Sequence, residues 1–331
     1  MSLTSENVRV AVVGTGQWAA QHARVFSTRA DAELVGVVGR DPGRTAARAD
    51  AYGTRAYTDV DTMLAAEQPD LVTVCLPNEV HFAPTLDLVR RGVPLLVEKP
   101  LVFDSAEAAV LVAEAAARGV FFAINFNHRY AEAVQRAKAA IDEGRLGEIV
   151  FATWRFGGEP NFGTHPHANL IETQCHGLDM LEHLVGPIAS VTAQMTDMVR
   201  PGTYTTLAVA LAFASGAVGT MLGSYDSSYA YPGAQHLEVN GTRGRALVED
   251  TVARLTLSTV GSEVHEVWQA GYFNDPGRGF HATFDRHVDA VLDALRSGSE
   301  PPVHARAGQR AVDLATAIIR AFESGARVAT S

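Results

Sequence analysis

Apolar residues in the first third of the chain fall into two alternating rhythms. Val8–Val13, mostly Val and Ala, reads as a strand buried on both faces. Leu34–Val38, Leu71–Leu76, Pro94–Glu98 and Val120–Asn125 read as further strands. Helical stretches separate them: Gln17–Arg29, one that opens at Asp41-Pro42, Asn78–Arg91 and Asp104–Arg118. Asp41 suits a cap and Pro42 the first helical position. Asn78 can cap its helix and Gly92 can close it. Asp104 and Glu107 stand three apart as a capping pair. This alternation predicts right-handed parallel units and a doubly wound sheet.

The rhythm changes after about residue 126. Tyr130–Glu143 reads as a helix ending at Gly144, and Asn169–Val185 as one ending at Gly186. Five or six strand-like stretches follow between Ile188 and Ala270, among them Leu207–Phe213, Ala217–Leu222 and His236–Asn240. Short Ser-Gly and Asn-Gly-Thr turns join them, which predicts an antiparallel open sheet with one broad face. Gly279–Leu295 and Ala305–Ser324 are helical, kept apart by Pro301-Pro302. The expected fold class is α/β. One doubly wound domain covers residues 1–126, and a second α/β domain covers 127–331. The last helix is free to pack back on the first domain.

Composition narrows the function classes. The 331 residues are 47% hydrophobic and 19% charged, as in an ordinary globular protein. A net charge of -10 argues against a general nucleic-acid surface but leaves room for one basic pocket. Met1–Val10 is polar and lacks the apolar core of a signal peptide, and no run approaches a membrane span. Cys75 and Cys175 have no metal-ligand spacing and read as buried thiols. A soluble cytoplasmic protein is the expectation.

Gly14-Thr15-Gly16-Gln17-Trp18-Ala19 follows the first strand and opens the first helix. Gly14 permits a tight turn, Gly16 lets the backbone approach a pyrophosphate, and Ala19 is small where helix meets strand. The free N–H groups of the helix start suit phosphate. A tight turn that binds nothing is the bland alternative. At the end of the second strand, where an NAD site carries an acidic residue, stand Gly39 and Arg40. A small residue beside a planar cation favours NADP over NAD. Asp41 could reach the ribose or could cap the next helix.

Glu98-Lys99-Pro100 puts a lysine at the carboxyl end of a buried strand. It is either a reactive group or a surface lysine paired with Glu98. Glu172, His176 and Asp179 stand at i, i+4 and i+7, on one face of a helix. Two carboxylates beside an imidazole can fix its tautomer and raise its basicity for proton transfer. A packed histidine with incidental acidic neighbours would look the same. No fourth ligand stands at useful spacing, so no metal is expected.

Together these motifs resemble the glucose–fructose oxidoreductase / inositol dehydrogenase / MocA family of nicotinamide-dependent oxidoreductases. The resemblance rests on Gly14–Ala19, Leu76-Pro77-Asn78 with His81, Glu98-Lys99-Pro100 and Asn127-His128-Arg129-Tyr130. It continues through Gly144-Arg145-Leu146-Gly147-Glu148, the His176–Asp179 helix and Val239-Asn240-Gly241-Thr242. It implies a Rossmann dinucleotide-binding domain over residues 1–126, an α/β domain for substrate binding and oligomerisation over 127–331, and hydride transfer between nicotinamide C4 and a secondary alcohol or carbonyl of a sugar, cyclitol or diol. His176 would be the general base, and Lys99 would stabilise alkoxide character. Gly14, Thr15, Gly16, Gln17, Trp18, Arg40, Pro77, Asn78, His81 and Glu98 would form the cofactor side. For His81 a helix-start contact is an open alternative. Glu172 replaces the family's usual Asp and reaches one methylene further. Asp179 would hold the imidazole or anchor the helix.

Pocket walls are expected around Trp154-Arg155 and in Asn161–His167, which includes His165 and His167. That loop either selects substrate hydroxyls or is a solvated connection. Two further readings remain open: glycoside cleavage through transient oxidation, and a non-catalytic dinucleotide sensor. The one-sided sheet needs cover on its free face, which suggests a homodimer or homotetramer.

Overall fold

The computed structural model describes residues 7–158, 165–271 and 279–330. The chain forms two compact units. One comprises the residues up to Asn125 together with Phe284–Arg310, the other Phe126–Thr283 with the residues from Ala311 onward.

In the first unit the strands are β1 (Val8–Val13), β2 (Ala32–Val38), β3 (Arg55–Tyr57), β4 (Leu71–Val74), β5 (Leu95–Val97) and β6 (Phe122–Ile124). They alternate with α1 (Gln17–Ser27), α2 (Pro42–Ala51), α3 (Val60–Glu67), α4 (Phe82–Arg90) and α5 (Ser105–Arg118). The sheet order is β3-β2-β1-β4-β5-β6, and every pair is parallel. The order reverses between β1 and β4, the switch point at which such sheets open a crevice beyond their carboxyl ends. Gly14, Gly39, Cys75, Glu98 and Asn125 all follow strand ends on that edge. The central strands β1 and β4 are almost wholly buried. β3 is three residues long and partly exposed, too short for periodicity to reveal.

The caps follow local chemistry. Asp41 Oδ1 accepts from Arg44 N at 2.8 Å, and Asp104 Oδ1 accepts from Ala106 N and Glu107 N. Asn78 caps no α-helix: it opens a short 3-10 turn, Asn78–Val80, and α4 begins at Phe82. Pro84 explains the delay. It has no N–H to donate, so it is tolerated in the first turn of α4 but not inside a helix begun at Asn78.

The second unit holds α6 (Glu132–Asp142), β7 (Ile149–Gly157), α7 (Cys175–Val185), β8 (Ile188–Thr196), β9 (Thr206–Phe213) and β10 (Val218–Ser224). β11 (Gln235–Gly241), β12 (Gly244–Glu249), β13 (Arg254–Thr259) and β14 (His265–Gln269) follow, and β15 (Val328–Ala329) ends it. Nine strands run in the order β14-β13-β12-β11-β7-β10-β9-β8-β15. Only β7 and β10 pair in parallel; the other pairs are antiparallel. Burial alternates along β9, β10 and β11, so one face forms the core and the other is open. Two helices, α8 (Ala282–Ser297) and α9 (Ala305–Ser324), complete the chain. Among the described residues no helix is long and apolar enough to cross a membrane.

Two differences from the sequence reading matter. Residues 284–310 pack with the first unit, which takes in most of α8 as well as the start of the last helix that the sequence left free to pack there. Ion pairs Arg24–Asp285, Arg29–Asp289 and Arg296–Asp31, with Ile124 N donating to Val303 O, hold them there. Helical periodicity shows which face of a helix is apolar, not which core it covers. Second, the expected helix Asn169–Val185 is not uniform: Asn169–Thr173 is a π turn that runs into α7. Gln174 N donates to Asn169 O, five residues back, at 3.0 Å. That extra residue in the turn breaks the simple i, i+4 relation between Glu172 and His176.

Candidate active site

The cofactor half lies on the first unit. Gly14 has φ +131°, and a Cβ there would fall 2.3 Å from Cys75 O, so only glycine lets the loop pass that close to the end of β4. A Cβ on Gly16 would meet nothing within 4 Å, which leaves open space beside the helix start. No side chain caps that helix start. Gly16, Gln17 and Trp18 are exposed and Thr15 is half-buried. Arg48 Nη2 donates to Thr15 O at 3.1 Å and braces the turn. Trp18 stacks on Phe284, centroids 5.7 Å apart. Backbone N–H groups, a close glycine turn and open space fit a bound pyrophosphate.

At the ribose position a Cβ on Gly39 would lie 2.5 Å from both Thr15 Cγ2 and Thr45 Oγ1. An acidic side chain therefore cannot stand there without displacing its neighbours. Arg40 is exposed. Asp41 is committed to capping α2.

Behind this crevice is a buried polar cluster. Glu98 Oε1 accepts from His22 Nε2 at 2.7 Å and from Asn125 Nδ2 at 2.7 Å, while Oε2 accepts from Lys99 N at 3.2 Å. His287 Nδ1 donates to Asn125 Oδ1 at 2.8 Å. Burial alone would drive the His22 pKa down, but Cys75 and Glu98 carry it up to about 10. The Glu98 pKa is lowered: burial opposes its charge, and His22, Lys99 and Asn125 outweigh burial. Glu98 thus faces the protein interior, and Lys99 is half-buried. His81 is also buried; its Nδ1 donates to Leu101 O at 3.0 Å, and burial lowers its pKa. Pro77 is exposed and Asn78 half-buried at the turn after β4.

The second unit carries the other cluster. His176, Glu172 and Asp179 are each 5–6% exposed. His176 stacks flat on His128, centroids 3.8 Å apart, and meets the edge of Phe126 at 5.9 Å. Phe156 and Phe280 meet His128 edge-on in turn. Asp179 is held by Arg129, whose Nε and Nη2 donate to its two oxygens at 2.8 and 2.5 Å. Burial raises the Asp179 pKa, and Arg129 opposes that.

Glu172 sits in the π turn, anchored on either side by amides. Asn169 Nδ2 donates to Thr205 O at 2.7 Å, and Gln174 Oε1 accepts from Trp154 Nε1 at 2.9 Å. Thr173 and Tyr225 share a hydroxyl contact of 2.8 Å. Two glycines let this segment lie on the sheet. A Cβ on Gly177 would fall 2.4 Å from Trp154 Nε1, and one on Gly223 2.4 Å from Gln174. In the loop expected to wall the pocket, positions 161–164 lie outside the described residues. His167 stacks on Tyr204 at 4.9 Å, its backbone N–H donating to His165 Nδ1. Trp154 is buried in the core and Arg155 is exposed.

Sequence reasoning passed over His22, Asn125 and His287 as members of the cofactor-side cluster, and His128 as the partner of His176. His128 did stand inside a motif that carried the resemblance. His22 had only its place in α1, three residues after Ala19, to mark it.

A glycine turn at the switch point of a doubly wound sheet, with a lysine at the same edge, defines a dinucleotide-binding oxidoreductase of the Rossmann type. Residues 8–126 match the oxidoreductase family with an NAD-binding Rossmann fold, and residues 134–247 match the GFO/IDH/MocA C-terminal domain. The chain belongs to the GFO/IDH/MocA family of oxidoreductases.

It is 33% identical to D-glucoside 3-dehydrogenase of Escherichia coli K12, over a stretch spanning 56% of each chain. It is 27% identical to inositol 2-dehydrogenase of Rhizobium meliloti, over 95% of this chain and 96% of that one. The fold matches an NAD-binding oxidoreductase from Klebsiella pneumoniae with a TM-score of 0.90 at 20% identity, covering 99% of this chain and 100% of that one.

Proposed function

We propose that this protein is an NAD(P)-dependent dehydrogenase. It moves a hydride between nicotinamide C4 and a ring or chain carbinol carbon of a sugar, cyclitol or diol. The observation that carries this reading is the sharing of one sheet edge by the Gly14–Gly16 turn and Lys99. The names of the glucoside 3-dehydrogenase and inositol 2-dehydrogenase relatives support a polyhydroxylated substrate.

When bound, the cofactor supplies the hydride-accepting or hydride-donating carbon. Gly14, Thr15, Gly16, Gln17 and Trp18 would hold its pyrophosphate side, with Pro77 and Asn78 lining the nicotinamide side, while His81 is buried against Leu101 O and Val74 O and braces that turn from within. The Lys99 ammonium holds the substrate oxygen and stabilises the negative charge that grows there. A ring nitrogen of His176 takes the hydroxyl proton in oxidation and returns it in reduction. Glu172 and Asp179 support that imidazole, Asp179 by anchoring α7 through Arg129.

NADP is the favoured cofactor. The space at Gly39 excludes the acidic side chain that an NAD site uses, and Arg40 offers a planar cation to a 2′-phosphate. A second copy of the chain would cover the open sheet face, where Val218 and Leu222 are 57% and 44% exposed. Light scattering showing a monomer at micromolar concentration would contradict that assembly.

The test is to mix purified protein with NADP or NAD and a panel of sugars, cyclitols and diols, and to follow absorbance of the reduced nicotinamide. Lys99→Ala and His176→Ala should each abolish turnover. Turnover retained in both variants would defeat the assigned roles.

A further inference from the structure

We propose that His22 is a positioning residue for Lys99. It acts through the Glu98 carboxylate, which it holds in the orientation that fixes the Lys99 backbone. This inference rests on the catalytic role given to Lys99 above.

The geometry is a closed chain of directed bonds. Glu98 follows β5, and its own backbone N–H donates to Val74 O at 2.9 Å. Its side chain folds back so that Oε2 accepts from Lys99 N at 3.2 Å. That bond constrains the turn from which the Lys99 side chain leaves. A glutamate has three rotatable bonds, and one weak contact to its neighbour would not hold it. Two short bonds do: His22 Nε2 and Asn125 Nδ2 each meet Oε1 at 2.7 Å. His287 Nδ1 donates to Asn125 Oδ1 and thereby sets which end of that amide faces Glu98. His22, Glu98, Asn125 and His287 are at most 5% exposed, so water does not compete for these bonds.

His22 also links two parts of the crevice. It lies in α1, the helix whose start forms the glycine turn, and it reaches the end of β5 from there. Phe284 packs edge-on against its ring at 5.9 Å and stacks on Trp18 of the turn. The titratable or charged groups facing this pair are Cys75 toward His22, and Lys99 and His81 toward Glu98. These neighbours push the His22 pKa up and the Glu98 pKa down, which favours a charge-assisted bond between them.

Cys75, His22 and Glu98 offer ligand atoms within 4.8 Å of one another, which makes a metal ion the alternative occupant. The 2.7 Å between His22 Nε2 and Glu98 Oε1 favours a proton. Two ligands of a tetrahedral zinc, each ~2.1 Å from the ion, stand roughly 3.4 Å apart. Asn125 already donates to the same carboxylate oxygen, which an ion would need.

The experiment compares wild type with His22→Leu, His22→Gln and His287→Leu, after Lys99→Ala has established that turnover depends on the lysine. His22→Leu is expected to lower kcat by ~30-fold, with KM for the alcohol and cofactor Kd changed by less than ~3-fold. His22→Gln, which still points an N–H at Glu98, should recover most of that loss. His287→Leu, one bond further out, should lower kcat by ~3-fold at unchanged KM. In nitrogen-labelled protein, histidine NMR should show both ring nitrogens of His22 protonated at neutral pH, and Glu98→Gln should abolish that signature.

A folded His22→Leu variant with wild-type kcat would overturn the proposal and leave the role of Lys99 intact. If His22→Leu does not fold, unchanged kcat in His287→Leu overturns it. One equivalent of zinc per chain, lost in Cys75→Ala, would also overturn it, because the three groups would then be ligands.

Discussion

The imidazoles of His128 and His176 lie face to face, with centroids 3.8 Å apart and planes within 4° of parallel. Phe126 closes on the His176 ring, and Phe156 and Phe280 on that of His128, so neither ring turns freely. Two unit charges 3.8 Å apart repel by roughly 4 kcal/mol at an effective dielectric near 20. A second positive charge on the stack is therefore costly. If His176 accepts a proton as proposed, a neutral His128 presents a π face to it.

Replacing His128 should show up in chemistry more than in binding. His128→Leu is expected to lower kcat about tenfold, with KM little changed, since it frees the ring proposed to transfer the proton. His128→Phe keeps a flat partner and should fall between that variant and wild type. Steady-state kinetics of the two variants check the order, and equal kcat in all three proteins would refute it.

Cofactor choice should follow Arg40. Arg40→Ala is expected to weaken NADP binding about tenfold by removing a charge-assisted contact, and to leave NAD binding within ~2-fold. Isothermal titration of both cofactors decides. Tighter binding of NAD by the wild type, unaffected by the substitution, would remove the assignment.

Gly177 sets how closely α7 lies on β7. Alanine gains ~1 kcal/mol of helix propensity over glycine. Its methyl would fall 2.4 Å from Trp154 Nε1, a buried side chain bonded to Gln174. Overpacking of this kind costs ~1–3 kcal/mol, so Gly177→Ala should destabilise the protein and lower kcat by shifting His176. Urea denaturation that shows a more stable variant would contradict the close approach.

The Arg129–Asp179 pair should be asymmetric under mutation. Asp179 has 2% side-chain exposure, and Arg129→Ala would leave that carboxylate buried without its cation. A loss of ~3–5 kcal/mol is expected, while Arg129→Met combined with Asp179→Leu should regain most of it. A double-mutant cycle by urea denaturation measures the difference.

Stability should also report His22. Its pKa is raised on folding, from 6.5 to about 10, so the stabilisation it brings is fully present below pH 6.5. That stabilisation is lost as pH rises from 6.5 through about 10. The difference in unfolding free energy between wild type and His22→Gln should shrink steadily over this window. A difference constant with pH would mean that the imidazole is neutral in the folded protein.

Much of this architecture is legible along the chain. Buried runs such as Val8–Val13 and Leu71–Leu76, set between capped helices, require strands that pair in parallel, because no short turn joins them. The Gly14–Ala19 spacing announces a phosphate turn because only glycine survives the close approach to Cys75. Lys99 is marked by its place at a strand end. Helix starts fared well where a side chain supplies the cap, as at Asp41 and Asp104, and failed at Asn78, where Pro84 six residues on decides the start.

Sequence by itself therefore determined the class of fold and the family, and it singled out Gly14–Ala19, Lys99 and His176 as candidates, since each depends on local spacing and residue type. Tertiary structure decided which groups surround them. His22 meets Glu98 across 76 residues of chain, and Asn125 meets His287 across 162. The π turn before α7 exists because Asn169 and Gln174 find partners on the sheet and Gly177 and Gly223 let the helix approach it. Helical periodicity carries none of this. Hydrogen bonds between residues far apart in sequence are set by how the strands and helices pack, and the energy of burying a polar group is known only once its neighbours are in place.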